Sequence, residues 1–171
     1  MKAIVAHQYG GPEVLKLEEI PRPEPKDDQV LIRVIAAGVN PVDAHVRTGK
    51  GAKFFGTTLP LIPGYDIAGI VEKAGTKISK LKIGDPVYAY VGLDEGGGYA
   101  EYAVATQAEA APKPTSLTFE SAAAVPLAAL TAWQGLIDAA KLSAGQTVLI
   151  HGGSGGVEVL RFKSRKRAAR K

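Results

Sequence analysis

The stretch Gly152-Gly153-Ser154-Gly155-Gly156-Val157 has the residue types best suited to a defined chemistry. It follows Thr147-Val148-Leu149-Ile150-His151, an unbroken and mostly apolar run that predicts a strand buried on both faces. A strand, a glycine turn and then a helix form the context in which such a loop reads as a dinucleotide cradle. Glycines let the backbone turn tightly and approach a pyrophosphate, and the N–H groups opening the next helix face its negative charge. Gly152, Gly153, Ser154, Gly155, Gly156 and Val157 are therefore cofactor-binding candidates. A plain turn is the bland alternative for any glycine cluster, and the preceding strand weighs against it. The pattern is broken at its end. A third glycine is expected at position 158, where helix and strand pack closely, and Glu158 stands there instead. Its carboxylate would face bound phosphates from a packed surface, which opposes binding.

Other chemistry is sparse. The chain has three histidines and no cysteine. Disulfides, Fe–S clusters, thiolate zinc sites and a thiol nucleophile are thereby excluded. Pro41 to Thr48 is a short helix candidate, with Asn40 as N-cap, Pro41 in the first turn and Gly49 at the end. His45 sits alone on that helix. It could donate a hydrogen bond or a proton, or lie idle on the surface. His7 and His151 read as structural, and Asp66 and Glu101 as members of turns and strand networks.

The elements that must position these residues change character along the chain. Lys2 to Gln8, Val14 to Ile20, Gln29 to Ala37, Tyr65 to Ala74, Pro86 to Val91 and Gly98 to Val104 read as strands, separated by glycine and proline turns. Pro21-Arg22-Pro23-Glu24-Pro25 must be extended, and Lys50 to Leu61 reads as a loop. Many short strands at this spacing predict a β-barrel or a sandwich. Pro112 and Pro114 mark a connector. Thr118-Phe119-Glu120-Ser121 then opens an Ala-rich helix running to Ala140, with Leu127, Leu130, Trp133, Leu136 and Ile137 on its apolar face.

Length, composition and charge narrow the classes. The chain has 171 residues, 46% of them hydrophobic and 22% charged, which suits one globular domain or one plus part of another. No apolar stretch reaches the ~18 residues a membrane span needs. Residues 1–7 lack a signal peptide's apolar core, so a cytoplasmic location is expected. The net charge of +4 hides an asymmetry: residues 158–171 hold seven Lys/Arg and one Glu, whereas the rest hold 14 Lys/Arg against 16 Asp/Glu. The total is therefore no signal for nucleic-acid binding, and that tail lacks aromatic interleaving beyond Phe162.

From Met1 to Val157 the chain resembles the zinc-independent quinone oxidoreductases, the zeta-crystallin group of the medium-chain dehydrogenase/reductase superfamily. The stretches that carry the resemblance are Gly10-Gly11-Pro12-Glu13-Val14-Leu15, Gly38-Val39-Asn40-Pro41-Val42-Asp43, Pro63-Gly64-Tyr65-Asp66-Ile67-Ala68-Gly69, Gly84-Asp85-Pro86-Val87, Gly97-Gly98-Tyr99-Ala100-Glu101-Tyr102 and His151 to Val157. The resemblance implies a mainly β architecture: a GroES-like, partly open β-barrel followed by the first elements of a Rossmann α/β domain. The expected division is 1–112 for the substrate and catalytic domain, 113–157 for a linker helix and the start of the cofactor domain, and 158–171 for an aberrant basic tail. It further implies hydride transfer from NADPH to a quinone or an α,β-unsaturated carbonyl, and a homo-oligomer. Asn40 and Asp43 match the pattern lining the cofactor and substrate cleft and are, with His45, the catalytic candidates, Asn40 being placed to bind the nicotinamide ribose or orient substrate. His45 falls where relatives often carry a tyrosine, and Thr131 matches a position near the nicotinamide. Zinc-dependent relatives carry Gly-His-Glu near Gly64-Tyr65-Asp66, so zinc is not expected here. Carbonyl polarisation would then come from hydrogen-bond donors and the nicotinamide.

The tail departs from this pattern. Relatives have an apolar helix there, of the type Gly-Ser-Phe-Ala-Val-Gln-Ile-Ala-Lys-Ala-Arg-Gly-Ala-Lys. Deleting one G from an encoding of that helix yields every residue from Glu158 to Lys171. The expectation is a frameshifted reductase with little activity. A non-catalytic β-barrel binding module is the alternative.

Overall fold

The structure, a computed structural model, describes residues 1–92, 97–152 and 155–157. They fall into two compact units, divided between Ala124 and Val125. The first unit is the mainly β body expected from the sequence. Strand β1 (Lys2–Ala6) pairs antiparallel with β2 (Leu15–Glu19), the chain turning through a short 3-10 segment at Pro12–Val14. The larger sheet has five antiparallel strands in the order β6-β3-β4-β5-β7, built from β3 (Gln29–Gly38), β4 (Asp66–Ala74), β5 (Pro86–Tyr90), β6 (Tyr102–Thr106) and β7 (Ala110–Pro112). The β3–β4 register shifts twice, between Leu31 and Ile32 and between Val34 and Ala36. Such bulges bend a strand and increase its twist, so this sheet curls into a half-barrel. Backbone bonds from Ile4 N–H to Tyr99 O (2.8 Å) and from Ala6 N–H to Leu61 O (2.9 Å) tie the hairpin to it.

Alternation along the strands fills the core. Val30, Ile32, Ile67, Val71, Val87, Ala89, Ala103 and Ala105 are buried in one cluster. Each fully buried Val, Ile or Leu contributes roughly 1.5–3 kcal/mol relative to exposure. The proline-rich segment lies extended, as proline requires. Arg22 pairs with Glu72 at 2.6 Å and stacks 4.0 Å over the Tyr102 ring, and Lys73 holds Glu24 at 2.7 Å.

Two short helices follow β3: α1 (Pro41–Arg47) and α2 (Ala52–Phe55), the second inside the stretch expected to be a loop. β7 is a further addition. It is a three-residue edge strand whose last residue is Pro112, placed where a missing N–H is tolerated. The strand expected at Gly98 to Val104 begins later, at Tyr102, because Gly97, Gly98 and Tyr99 bond instead to residues 62–64.

The helix expected from Thr118 to Ala140 is broken into three pieces. α3 (Phe119–Ala123) opens on a Thr118 cap whose hydroxyl accepts the Ser121 N–H, and α4 (Pro126–Trp133) restarts at a proline. Pro126 supplies no N–H to the preceding turn, so α3 cannot run through it. A π-helical turn, Gln134–Ala139, ends the helical stretch. The strand expected at Thr147 to His151 is not formed. Those residues carry no strand pairing, and Leu149 is 80% exposed. A strand buried on both faces needs neighbours on both edges, and the described residues of the second unit provide none.

α3 closes one face of the sheet through small residues. Ala68, Ala122 and Ala123 are buried together, with Ala36, Tyr88, Leu117 and Phe119 around them. Gly38 allows this approach, since a Cβ there would collide with the Ala123 carbonyl oxygen and lie 3.0 Å from the Asp66 Cβ. Gly38→Ala is therefore expected to destabilise the first unit by about 1–3 kcal/mol. Urea denaturation checks this, and an unchanged midpoint would contradict the packing.

Candidate active site

The corner between β3 and α1 gathers the polar groups. Asn40 precedes α1 in extended conformation, and Pro41 starts the helix. Three residues on, Asp43 is 94% buried, with 6% of its surface exposed. Its carboxylate accepts two backbone hydrogen bonds, from Asn40 N–H at 2.6 Å to Oδ2 and from Gly64 N–H at 3.0 Å to Oδ1. The first closes the helix start and the second reaches 21 residues along the chain. Asp43 thus joins the end of β3 to the entry of β4.

Gly64 is required for that junction. Its φ of +91° lies in the left-handed region, and a Cβ there would lie 2.5 Å from Tyr99 Cδ1. Its carbonyl accepts the Gly98 N–H at 2.9 Å, so the glycine is held through both its N–H and its carbonyl.

One residue further, Tyr65 is buried, and Asp66 is fully buried at the start of β4. Asp66 lies opposite Gly38 on β3 and Tyr90 on β5. The Asn40 side-chain Nδ2 donates to Asp66 Oδ2 at 2.9 Å. Asn40 is therefore held at three points: its N–H by the Asp43 carboxylate, its amide nitrogen by Asp66, and its side chain by the Asp43 backbone N–H in a capping box.

Burial and charge act together in this corner. Burial raises the Asp43 pKa, opposed by the N–H groups of Asn40 and Gly64. Burial also raises the phenols of Tyr65, Tyr90 and Tyr99. The Asp43 charge adds to the effect on Tyr65 and Tyr99, and Asp66 and then Asp43 add to it on Tyr90. These phenols stay protonated throughout the working range of pH.

The remaining site candidates fall elsewhere. His45 is exposed on α1. It stands two positions after Asp43, and residues at that spacing do not share a helix face. Thr131 is exposed on α4 in the second unit. In the glycine loop, Gly152 has φ +69° and its carbonyl accepts the Gly155 N–H at 2.8 Å. Gly156 and Val157 then start a helical turn. Gly153, Ser154 and Glu158 lie outside the described residues, as does the basic tail. His7 bonds to Glu18 at 2.9 Å across the hairpin, and Glu101 accepts the Lys2 N–H at 2.8 Å, so both serve strand networks.

The residue that the sequence reading undervalued is Asp66. Its signal was a single carboxylate opening an apolar strand whose first four residues are all buried. Such a group has to find donors, and Asn40 is one of them.

The corner does not offer a zinc donor set. The groups nearest in type are an amide, a protonated phenol and carboxylates already bonded to N–H groups, and the chain has no thiol. Among the described residues no cluster of three or more His, Asp or Glu could hold a metal ion. No described helix is long and apolar enough to cross a membrane.

Comparison with known proteins places this geometry. Residues 26–115 match the alcohol dehydrogenase GroES-like domain. The chain is 44% identical over 158 residues to quinone oxidoreductase from Mus musculus, covering 92% of this chain and 46% of that protein. It is 48% identical over 164 residues to the chloroplastic NADPH-dependent alkenal/one oxidoreductase of Arabidopsis thaliana, covering 92% and 42%. Among solved structures, the quinone oxidoreductase from Coxiella burnetii superposes with a TM-score of 0.88 at 41% identity, over 99% of this chain and 54% of that one. A mycobacterial protein complexed with NADPH superposes at 0.84 and 31% identity, over 99% and 50%. The chain spans about half the length of the curated relatives it matches.

Removing the Asp43 carboxylate strands the Gly64 N–H inside the fold. Asp43→Ala is expected to lower stability by about 1–3 kcal/mol. The pH dependence has a definite sign. The folded state holds the Asp43 proton more tightly than the unfolded chain does. This group's stabilisation is therefore full in acid and is lost as pH rises from the ordinary carboxylate value through the raised one. Urea midpoints of the wild type, relative to Asp43→Asn, should fall across that window. A relative rise would contradict the assignment.

Proposed function

The chain belongs to the medium-chain dehydrogenase/reductase superfamily through its GroES-like domain, and on that premise we propose that it is built as a cytoplasmic, NADPH-dependent and zinc-independent reductase of the quinone oxidoreductase type. The substrate class is a quinone or an α,β-unsaturated carbonyl. The observation that carries the proposal is the Asn40 amide, held by a buried carboxylate at the end of β3 in a chain that matches these reductases over nine-tenths of its length.

The residues fit a nicotinamide dinucleotide in kind. The left-handed backbone at Gly152, followed by the start of a helical turn at Gly156 and Val157, suits the approach of a pyrophosphate. Asn40 offers an amide to the nicotinamide ribose or to substrate, and Thr131 is a second polar candidate on α4. NADPH, when bound, would supply the hydride. The chain's own part is to orient and polarise. Asn40 fixes a hydrogen-bonding group at the end of β3, and Asp43 holds its backbone. His45, exposed on α1, is the candidate donor of the proton that follows the hydride onto the reduced carbonyl. Polarisation by hydrogen bonds replaces a metal, because the corner supplies amide and phenol groups where zinc would need thiolates and imidazoles.

The unpaired run at Thr147 to His151 favours a second reading, a β-barrel module without catalysis. Hydride transfer needs the two ends of the dinucleotide held together, and the strand that should support the glycine turn is not formed. NADPH fluorescence titration of the full chain separates the two readings. The reductase reading expects saturable binding, weakened about tenfold in Asn40→Ala by loss of roughly one net hydrogen bond. Steady-state quinone reduction is expected near background. Absence of saturable binding by the folded chain would favour the module, and robust turnover would contradict the impairment.

A further inference from the structure

We propose that Asp66 is a positioning residue for Asn40: its buried carboxylate fixes which end of the Asn40 amide faces inward, and so fixes the hydrogen-bonding pattern Asn40 presents to a nicotinamide ribose. The inference rests on the reductase reading above for its ligand. Its structural half stands on geometry alone.

An asparagine amide has two chemically different ends that are nearly equal in size, a carbonyl oxygen that accepts and an NH₂ that donates. Left to itself, such a group samples both orientations. The capping box turns the oxygen end toward the Asp43 backbone N–H, and Asp66 takes the nitrogen end. It is fully buried, its charge is felt by the Tyr90 phenol, and its Oδ2 lies 2.9 Å from Asn40 Nδ2. In this pair the Asp66 oxygen accepts and the nitrogen end of the amide donates, so the nitrogen end faces Asp66. A bond to a charged acceptor is about twice as strong as one between neutral groups, which holds the amide against a flip.

The backbone of the pair is equally constrained. Asp66 stands directly opposite Gly38 in the β3–β4 ladder, two residues before Asn40. The Asn40 N–H is tied separately to Asp43. The Asn40 N–H is anchored by the Asp43 carboxylate, and its side chain by Asp66 at one end and by the Asp43 backbone N–H of the capping box at the other, so a change at Asp66 leaves the backbone anchor in place. Supporting groups of this kind set the precision of a binding site.

The sequence provides an internal probe, because Asn40 is the only asparagine among the 171 residues. Selective ¹⁵N-asparagine labelling of the full chain gives one backbone N–H signal, reporting the Asp43 bond, and one side-chain NH₂ pair, reporting the Asp66 bond. In Asp66→Asn and Asp66→Leu the side-chain pair is expected to move toward the position of a free amide while the backbone signal stays in place. In the same Asp66→Asn protein the NADPH dissociation constant is expected to rise about tenfold. A side-chain pair unchanged in Asp66→Asn overturns the proposal. So does joint movement of both signals in both variants, which would make Asp66 a support of the whole corner. A shifted pair with unaltered NADPH affinity overturns the link to the ribose. If the wild type itself shows no saturable NADPH binding, the reductase reading fails, and the amide signals still decide whether Asp66 holds Asn40.

Discussion

Asp43 accepts the Asn40 N–H with one oxygen and the Gly64 N–H with the other, and the geometry of the corner between β3, α1 and β4 follows from that pair of bonds. The first stops β3 and starts α1 at a fixed residue. The second locks the left-handed turn that leads into β4. Without it, Gly64 would carry a buried N–H with no partner, and the chain entering Tyr65 and Asp66 would lose its anchor. A buried carboxylate is expensive to hold, as its raised pKa shows, so its two donors have to be present together.

That junction separates support from chemistry. Asp43 resembles a catalytic carboxylate in sequence, yet both its oxygens are engaged by backbone N–H groups. Asp66 is likewise engaged, by the Asn40 amide. What the corner leaves accessible is Asn40 itself, half-buried, with Val39 (82% exposed) beside it and His45 further along α1. An amide braced in this way presents an oriented hydrogen-bonding group with little freedom to turn.

Much of this was legible in the sequence. Alternation in β3 and the glycines between strands announced a barrel or a sandwich, the family resemblance pointed to a partly open barrel, and Asn40-Pro41-Val42-Asp43 announced a capped helix start. The pairing of Asn40 with Asp66 was not legible, because it joins residues 26 apart through a sheet register that no local pattern encodes. β7 was hidden by Pro112, which reads as a breaker until its edge position is known. The run Thr147 to His151 shows the opposite failure. Its composition is that of a central strand, but composition does not supply the neighbours that a central strand requires. Pro126 was visible, and its effect on the long helix was underweighted against an apolar stripe.

The most direct test of the central claim is amide hydrogen exchange at Gly64 and Asn40. If the Asp43 carboxylate holds both N–H groups in the folded chain, they exchange as slowly as ladder amides such as Val34, whose N–H bonds to Glu101 O at 2.9 Å. Asp43→Ala should release both toward the rate of open loop amides while Val34 stays protected. Fast exchange at Gly64 and Asn40 in the wild type would contradict the account.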